Sequence, residues 1–384
     1  MTKNLAAMDS SRLAAGIGPK TGSSESALSS LLPIACCLLP IAFFLTGLSG
    51  VANAQTPQIN LPESALQGDT LPPDNVRQLT DRIKFCLNAV SNAKDATEAK
   101  RFAASLIEGG YNRYDSNGFH LAYAAELAKL SPPVLAKLEG TQAVLLAVEL
   151  SMVPELPMQP CFDAMAVHSS AAVRYFGWKG HLSIRAKVIA AGKGPTDKMM
   201  DLLDKQFKVE TSSVVLGVML DMMNWPAPAS AQIQKKSWDI LQQAWPSLGS
   251  RVLERDQEMS RSCRTGLTTL ESLWPSLAGK DQTKALQMLV DMMYYSAKAY
   301  GASGAEGLVA DINGQLTRDS ETLLAKLSGI QKKPVADALS AKDTNDRKIS
   351  VPLAVLEGWM PDLKGRGLVA PKLPTPPAAP VAPE

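Results

Sequence analysis

Histidine is scarce in this chain of 384 residues, with only His120, His168 and His181. So few imidazoles leave little material for histidine-based metal binding or acid–base catalysis. Aromatic residues are also few, at 5%. Neither sign of charge is in large excess, because 39 Lys and Arg stand against 37 Asp and Glu. A formal net charge of +2 argues against a protein that grips nucleic acid, which needs a surplus of basic residues.

Common catalytic and phosphate-binding motifs are missing as well. The chain has no H-E-x-x-H, no G-x-S-x-G and no phosphate loop ending in Gly-Lys-Ser/Thr. Residues 115–118 (DSNG) suggest a calcium loop, but Arg113 and Ala124 would then occupy its first and last ligand positions. The sequence therefore predicts a protein that is not an enzyme and that holds no cofactor and no metal.

The first 54 residues have the order of a secretory signal peptide (1–54). An uncharged apolar run of 15 residues, 31–45, follows a polar segment with scattered basic residues. This run is shorter than the roughly 20 residues that a membrane-spanning helix needs. Ala52 and Ala54 form an A-x-A cleavage motif directly before Gln55. We expect cleavage there and export to the periplasm, the cell envelope or the medium; the alternative is an uncleaved segment that anchors the protein in the membrane.

Cleavage would leave three cysteines in the mature chain, Cys86, Cys161 and Cys263. Three thiols allow at most one internal disulfide, so a scaffold held together by disulfides is excluded. Buried cysteine behaves as a small hydrophobic residue, and the sequence favours this role for all three. Their spacing leaves the redox state open.

Proline marks both ends of the mature chain. Residues 55–73 form a polar, proline-containing stretch that predicts an extended or disordered linker. Residues 365–384 are rich in proline and alanine, with six prolines in the last fourteen residues, and predict a disordered tail. The region between them, 74–364, is the predicted folded domain.

The pattern of this domain is helical throughout. No run of alternating apolar and polar residues rich in Val, Ile and Thr indicates a sheet. Asp74 is expected to cap the first helix, and Ser131 with Pro132 and Pro133 predicts the start of a short helix that ends at Gly140. The apolar residues of the first helix, spaced three and four apart, are Val76, Leu79, Ile83, Cys86, Leu87 and Val90.

The middle of the domain is repetitive. Two stretches, starting at Phe162 and Leu203, each read as an amphipathic helix, a short serine-containing break and an apolar helix from Val173 or Val214. A period of about 40 residues between helix pairs is typical of a helical solenoid, because each pair buries its apolar face only against its neighbours. At that period residues 74–364 hold about seven pairs.

The first of these pairs carries a family resemblance. A helix and a polar break are followed by Ala172, Val173 and Arg174, which open the second helix. This arrangement resembles a HEAT repeat of the armadillo type; the resemblance covers residues 160–223 and is weaker in the second pair, where Val215 replaces the arginine. It implies an all-α fold, an α-α superhelix, and partner binding along a curved surface rather than one particular activity.

The most distinctive local chemistry is an acid-free basic segment, residues 174–193. Arg174, Trp178, His181 and Arg185 are spaced four, three and four apart and share one face of a helix. One hypothesis is a cationic and aromatic strip that receives another protein or an anionic component of the envelope. The alternative is structural, in which Arg174 makes a hydrogen bond between repeats and Trp178 packs against the neighbouring pair.

Together these patterns favour an exported, non-enzymatic scaffold that binds an unidentified partner along a helical-repeat surface, with no nucleic acid among its partners. The alternative is an envelope enzyme on an α/α barrel that acts on glycans. Such an enzyme needs an aromatic-lined cleft with histidine, tyrosine or paired carboxylates, which the composition disfavours. First and last helices that close around a polar pocket would favour the enzyme.

Overall fold

The computed structural model describes residues 56–225 and 229–373 of the chain. The predicted signal segment with its cleavage site at Ala52, Ala54 and Gln55, and most of the predicted tail, lie outside these residues. All regular secondary structure in the described part is helical, which confirms the all-α class. None of the helices in that part is both long and apolar enough to cross a membrane.

The helices of the first half are α1 (Glu63–Leu66), α2 (Pro73–Ser91), α3 (Ala96–Ile107), α4 (Asn117–Leu135), α5 (Gly140–Ser151), α6 (Gln159–Ala166), α7 (Ala171–Ala190) and α8 (Lys193–Phe207). Those of the second half are α9 (Ser213–Met222), α10 (Ala231–Leu253), α11 (Gln257–Leu273), α12 (Lys280–Ala302), α13 (Gly307–Ser328), α14 (Pro334–Leu339), α15 (Thr344–Leu353) and α16 (Met360–Lys364). A π-helical stretch, Ala354–Trp359, joins the last two.

Helix α2 follows the predicted apolar stripe but starts differently. Pro73 is its first residue and Pro72 precedes it, so Asp74 lies within the first turn instead of capping it. Proline suits this position because the first helical N–H has no partner in any case. The carboxylate of Asp74 remains favourable there, next to the positive end of the helix dipole. Five of the six predicted stripe residues are buried, namely Leu79, Ile83, Cys86, Leu87 and Val90.

Helix α4 corrects the prediction of a new helix at Ser131. The helix runs without a break through Pro132 and Pro133 and ends two residues later. Each proline removes one hydrogen bond to the preceding turn. That loss is tolerated here because the prolines fall in the last turn, where they end the helix instead of starting another.

The helices pack as two rows. In the first row α2, α4, α6, α8, α10 and α12 contact one another in that order, and in the second row α3, α5, α7, α9, α11 and α13 do the same. Each first-row helix also contacts the second-row helix that follows it. The described residues therefore contain six stacked pairs, against about seven predicted. At the C-terminal end α14 packs onto α13, α15 packs onto α12, α14 and α15 pack onto each other, and α16 packs against the π-helical stretch.

Glycine permits the closest approach between α6 and α7. A Cβ atom on Gly177 would lie 2.6 Å from the backbone nitrogen of Ala166, and one on Gly180 would lie 2.5 Å from the ring of Phe162. No side chain fits at either position without a shift of α6. The tight contact between the two helices therefore depends on these two residues.

Cys86, Cys161 and Cys263 are each free and buried in the structure, with no disulfide among them. Burial raises the pKa of the Cys86 thiol to about 11, against the smaller opposing effect of Arg82. Burial, with Asp163 nearby, also raises the pKa of Cys161 to about 12. The thiolate is the reactive form, so both groups are inert near neutral pH.

The predicted N-terminal linker is packed against the domain. Ile59 is 1% exposed, and the Tyr114 hydroxyl donates to its carbonyl oxygen and accepts from the Leu61 N–H, both at 3.0 Å. Buried Arg82 donates from Nη1 to the Pro57 carbonyl at 2.8 Å. The composition of this segment predicts flexibility. The segment is ordered instead by contacts with residues that lie tens of positions away in sequence.

Candidate partner-binding site

Arg174, the first residue of the predicted strip, joins one helix pair to the next. Its guanidinium donates to both carboxylate oxygens of Glu210, from Nε at 2.7 Å and from Nη2 at 2.8 Å. Nη1 donates to the carbonyl oxygens of His168 (2.9 Å) and Ser169 (2.7 Å). Four hydrogen bonds leave the guanidinium with little capacity for a partner. This is the placement that the structural alternative predicts for Arg174.

Glu210 is the anchor of this junction. Its side chain is 1% exposed, and its Oε1 also accepts the N–H groups of Thr211 (2.9 Å) and Ser212 (2.7 Å) at the start of α9. Burial acts to raise the pKa of Glu210, but the hydrogen bonds from Arg174 and from these N–H groups hold it below its usual value. Glu210 is therefore charged in the folded protein at neutral pH.

Trp178 and His181 are fully buried, each with 0% exposure. The His181 Nε2 atom lies 3.2 Å from Oδ1 of Asp163 on α6, and Lys198 Nζ on α8 lies 2.7 Å from Oδ2. Burial acts to raise the pKa of Asp163, but His181 and Lys198 together hold it below its usual value. These two strip residues thus lie in the core, where a partner reaches them only if the fold opens.

Arg185 supports the next helix of the second row. Its Nη1 donates to the Asp221 carbonyl oxygen near the end of α9 at 2.7 Å, and its guanidinium carbon lies 5.8 Å from the centre of the Trp225 ring. Burial lowers its pKa, against the opposing charge of Asp221. In this structure the four residues of the strip lie along the contacts of α7 with its neighbours.

An open groove of about 640 Å³ lies beyond Asp221, across the second-row helices α9, α11 and α13. Nine of its eleven lining residues are polar or charged, and the lining comes from three successive helix pairs. The lining residues are Asp221, Asn224, Arg264, Thr265, Leu267, Thr268, Glu271, Asp319, Thr322, Leu323 and Lys326.

Two ion pairs among the lining residues join α11 to α13. Arg264 Nε donates to Asp319 Oδ2 at 2.6 Å, and Lys326 pairs with Glu271. Side chains of both pairs are 41% to 66% exposed, so water screens them and each contributes little to stability. They leave charged groups of both signs at the surface of the groove, where a partner could reach them.

None of the groove residues belongs to a motif that the sequence patterns singled out, although a signal for them exists. Gln315, Asp319, Thr322 and Lys326 on α13 are spaced four, three and four apart, as in the strip on α7. This polar spacing marks one face of a helix. Nothing local indicated that this face, and not the one on α7, lines a groove.

Comparison with family models, with curated proteins and with solved structures finds no match for the chain. Within the two described ranges, no group of three or more His, Cys, Asp or Glu side chains is arranged to hold a metal ion. The support for the candidate site is therefore the arrangement of its residues alone.

Proposed function

We propose that the protein is an exported helical-repeat interaction module, an α-α superhelix of HEAT-like type, which binds another protein along its second row of helices. The support for the superhelix is the order of packing. The larger helix contacts join a helix to its pair partner and to the helices two or three positions away. Stacked pairs in a repeat array have this pattern of near-neighbour contacts.

The groove across α9, α11 and α13 is the observation that carries the proposed binding role. It joins three successive pairs into one surface, which suits an extended partner that follows the row. Its exposed threonines and paired charges, such as Thr268 and Thr322 between the two ion pairs, offer hydrogen bonds and charges of both signs. A protein segment of mixed charge fits this chemistry better than a uniformly anionic ligand.

The glycan-processing alternative gains no support from the groove. Its described lining contains no histidine and no aromatic residue, whereas sugar-binding clefts usually present aromatic faces. Glu271 and Asp319 each pair with a base across the groove. Neither carboxylate is therefore placed as a free acid or nucleophile, and the remaining carboxylate of the described lining, Asp221, has no second free carboxylate to work with.

Export remains a proposal that rests on the sequence of the first 54 residues. N-terminal sequencing of the mature protein tests it, and we expect Gln55 as the first residue. An intact N-terminus on protein recovered from the membrane would point to the anchored alternative.

Blocking the groove tests the binding role. Thr268 and Thr322 are exposed, so replacing both by arginine fills the groove without disturbing the core. Affinity capture from the native envelope should then lose its specific protein partners. Gln232→Arg, at an exposed position on first-row α10, is the matched control. Recovery of the same partners from the double variant, with unchanged helicity, would overturn the proposed site.

A further inference from the structure

The described start of the C-terminal segment is bound to first-row helix α12. Leu368 is buried, with 3% exposure. The side-chain amide of Gln287 then pairs with Val369 in both directions: Nε2 donates to the Val369 carbonyl oxygen at 3.1 Å, and Oε1 accepts its N–H at 2.9 Å. The Tyr295 hydroxyl donates to the Lys372 carbonyl oxygen at 2.7 Å. The predicted disordered tail is thus anchored at its beginning.

The spacing of these anchors requires an extended chain. Gln287 and Tyr295 are eight residues apart on α12, which corresponds to about 12 Å along the helix axis. Lys372 lies three positions after Val369, and in polyproline II conformation three positions cover about 9 Å. The same three positions in an α-helix would cover only about 4.5 Å. Pro371, with its φ fixed by the ring, favours the extended form.

After the buried Leu368, the contacts from Gln287 and Tyr295 are to main-chain atoms of Val369 and Lys372. The side chains of Val369 and Leu373 are 60% and 62% exposed and so contribute little to the contact. Tyr295 is held in place by α10, where a Cβ atom on Gly249 would lie 2.5 Å from its ring. The site therefore recognises an extended backbone with an N–H at one position, and it tolerates different side chains.

The sequence of the docked segment recurs further along the chain. From Val369 onward the chain consists of triplets that end in proline, and the first residue of each triplet keeps the N–H that the Gln287 site requires. The docked triplet recurs near the C-terminus as Val381-Ala382-Pro383. The full series is Val-Ala-Pro, Lys-Leu-Pro, Thr-Pro-Pro, Ala-Ala-Pro and Val-Ala-Pro, followed by Glu384.

We propose that Gln287 and Tyr295 form a binding site for extended peptides made of proline-ending triplets. Residues 369–372 are its built-in occupant, and the external ligand is the C-terminal segment of a second copy of the chain. The repeated triplets supply four further copies of the docked motif, which supports this choice of ligand. The tethered segment competes through its high effective concentration, so exchange with a second copy is expected only when the copies are crowded or the tether is weakened. This site lies apart from the groove and does not depend on the function proposed for it.

The affinity of the full chain for a labelled peptide of residues 365–384 can be measured by fluorescence anisotropy. Substitutions in the built-in segment and substitutions in the site should change this affinity in opposite directions. Val369→Pro removes the N–H that Gln287 accepts and should increase peptide binding at least tenfold, because the built-in competitor is weakened. Adding Gln287→Ala or Tyr295→Phe to that variant should abolish the gain. Tyr294→Phe, at the neighbouring tyrosine of α12, should leave it unchanged.

Light scattering tests the second copy as the ligand. The Val369→Pro chain should form dimers as its concentration rises, and Tyr295→Phe should return it to monomers. Failure of the peptide to bind the Val369→Pro chain, with helicity intact, would overturn the site. Peptide binding without any dimer would overturn the second copy as its ligand.

Discussion

Two strips with the same spacing have opposite roles in this protein. Arg174, Trp178, His181 and Arg185 on α7, and Gln315, Asp319, Thr322 and Lys326 on α13, both follow a four, three, four pattern. The strip on α7 lies along helix contacts, and two of its four residues are fully buried. The strip on α13 follows the side of an open groove and contributes three of its lining residues. Spacing fixes which residues share a helix face, but the neighbouring helices decide whether that face meets solvent.

Electrostatics separates the two strips further. Arg174 bonds a carboxylate that is 1% exposed, whereas Lys326 and Glu271 on the groove are 66% and 41% exposed. Water screens the exposed pair, so its net contribution is small. The buried pair is costly to break, because either partner left alone keeps an uncompensated charge. The ion pair on α7 therefore joins neighbouring helix pairs, while the pair on the groove keeps its charges exposed to solvent.

The largest difference between the strips is expected from truncating one residue of each. Trp178→Ala should lower the free energy of unfolding by about 3 to 5 kcal/mol, because it leaves a cavity in a fully packed core. Thr322→Ala, on the groove, should change it by no more than about 0.5 kcal/mol. Urea denaturation followed by circular dichroism measures both. Equal effects would contradict the assignment of one strip to the core and the other to the surface.

Removing one acid from each ion pair should give the next largest contrast. Glu210→Ala is expected to cost about 2 to 3 kcal/mol of unfolding free energy, since it takes away charged hydrogen bonds from Arg174 and from the start of α9. Glu271→Ala should cost at most about 1 kcal/mol. The same denaturation experiment compares them. A large loss in the groove variant would show that its ion pair is structural.

A smaller effect is expected from pH, because titration removes a charge and leaves the side chain in place. The folded pKa of Glu210 lies below its ordinary value of 4.5, and that of Asp163 lies below 3.8. Their stabilising contribution is therefore complete above those ordinary values and is lost as the pH falls through the folded pKa. The unfolding free energy should decline in acid, and Glu210→Gln should flatten that decline.

The pKa of Asp291 on α12 is shifted in the opposite direction from those of Glu210 and Asp163. Burial raises its pKa to about 6, against the hydrogen bond from Gln287. A raised pKa means that ionisation near neutral pH destabilises the fold. Asp291→Asn should therefore stabilise the protein above pH 6 and have little effect below pH 4. Unfolding measured on both sides of this window checks the sign, and a loss of stability at neutral pH would contradict it.

Helices were the part that the sequence predicted well. The stripe on α2, the break between α6 and α7, and the second-row helix starting near Val214 all follow from residues within a few positions of one another. The predictions that differ from the structure rest on local sequence signals that are compatible with more than one structure. Prolines such as Pro132 and Pro133 end a helix as readily as they precede one. The proline-containing segments at the two ends of the domain pack against helices that lie far away in sequence.

The sequence by itself determined the helices, their pairing rhythm and the balance of charge. These depend on periodicity and turn residues, which act over three to eight positions along the chain. Only the tertiary structure decided which polar face became a junction and which became a groove. Arg174 pairs with Glu210, which lies 36 positions further along the chain, and Arg264 pairs with Asp319 across a separation of 55 positions. Burial is decided by helices that arrive from such distances, and no local pattern encodes which of two similar faces they cover.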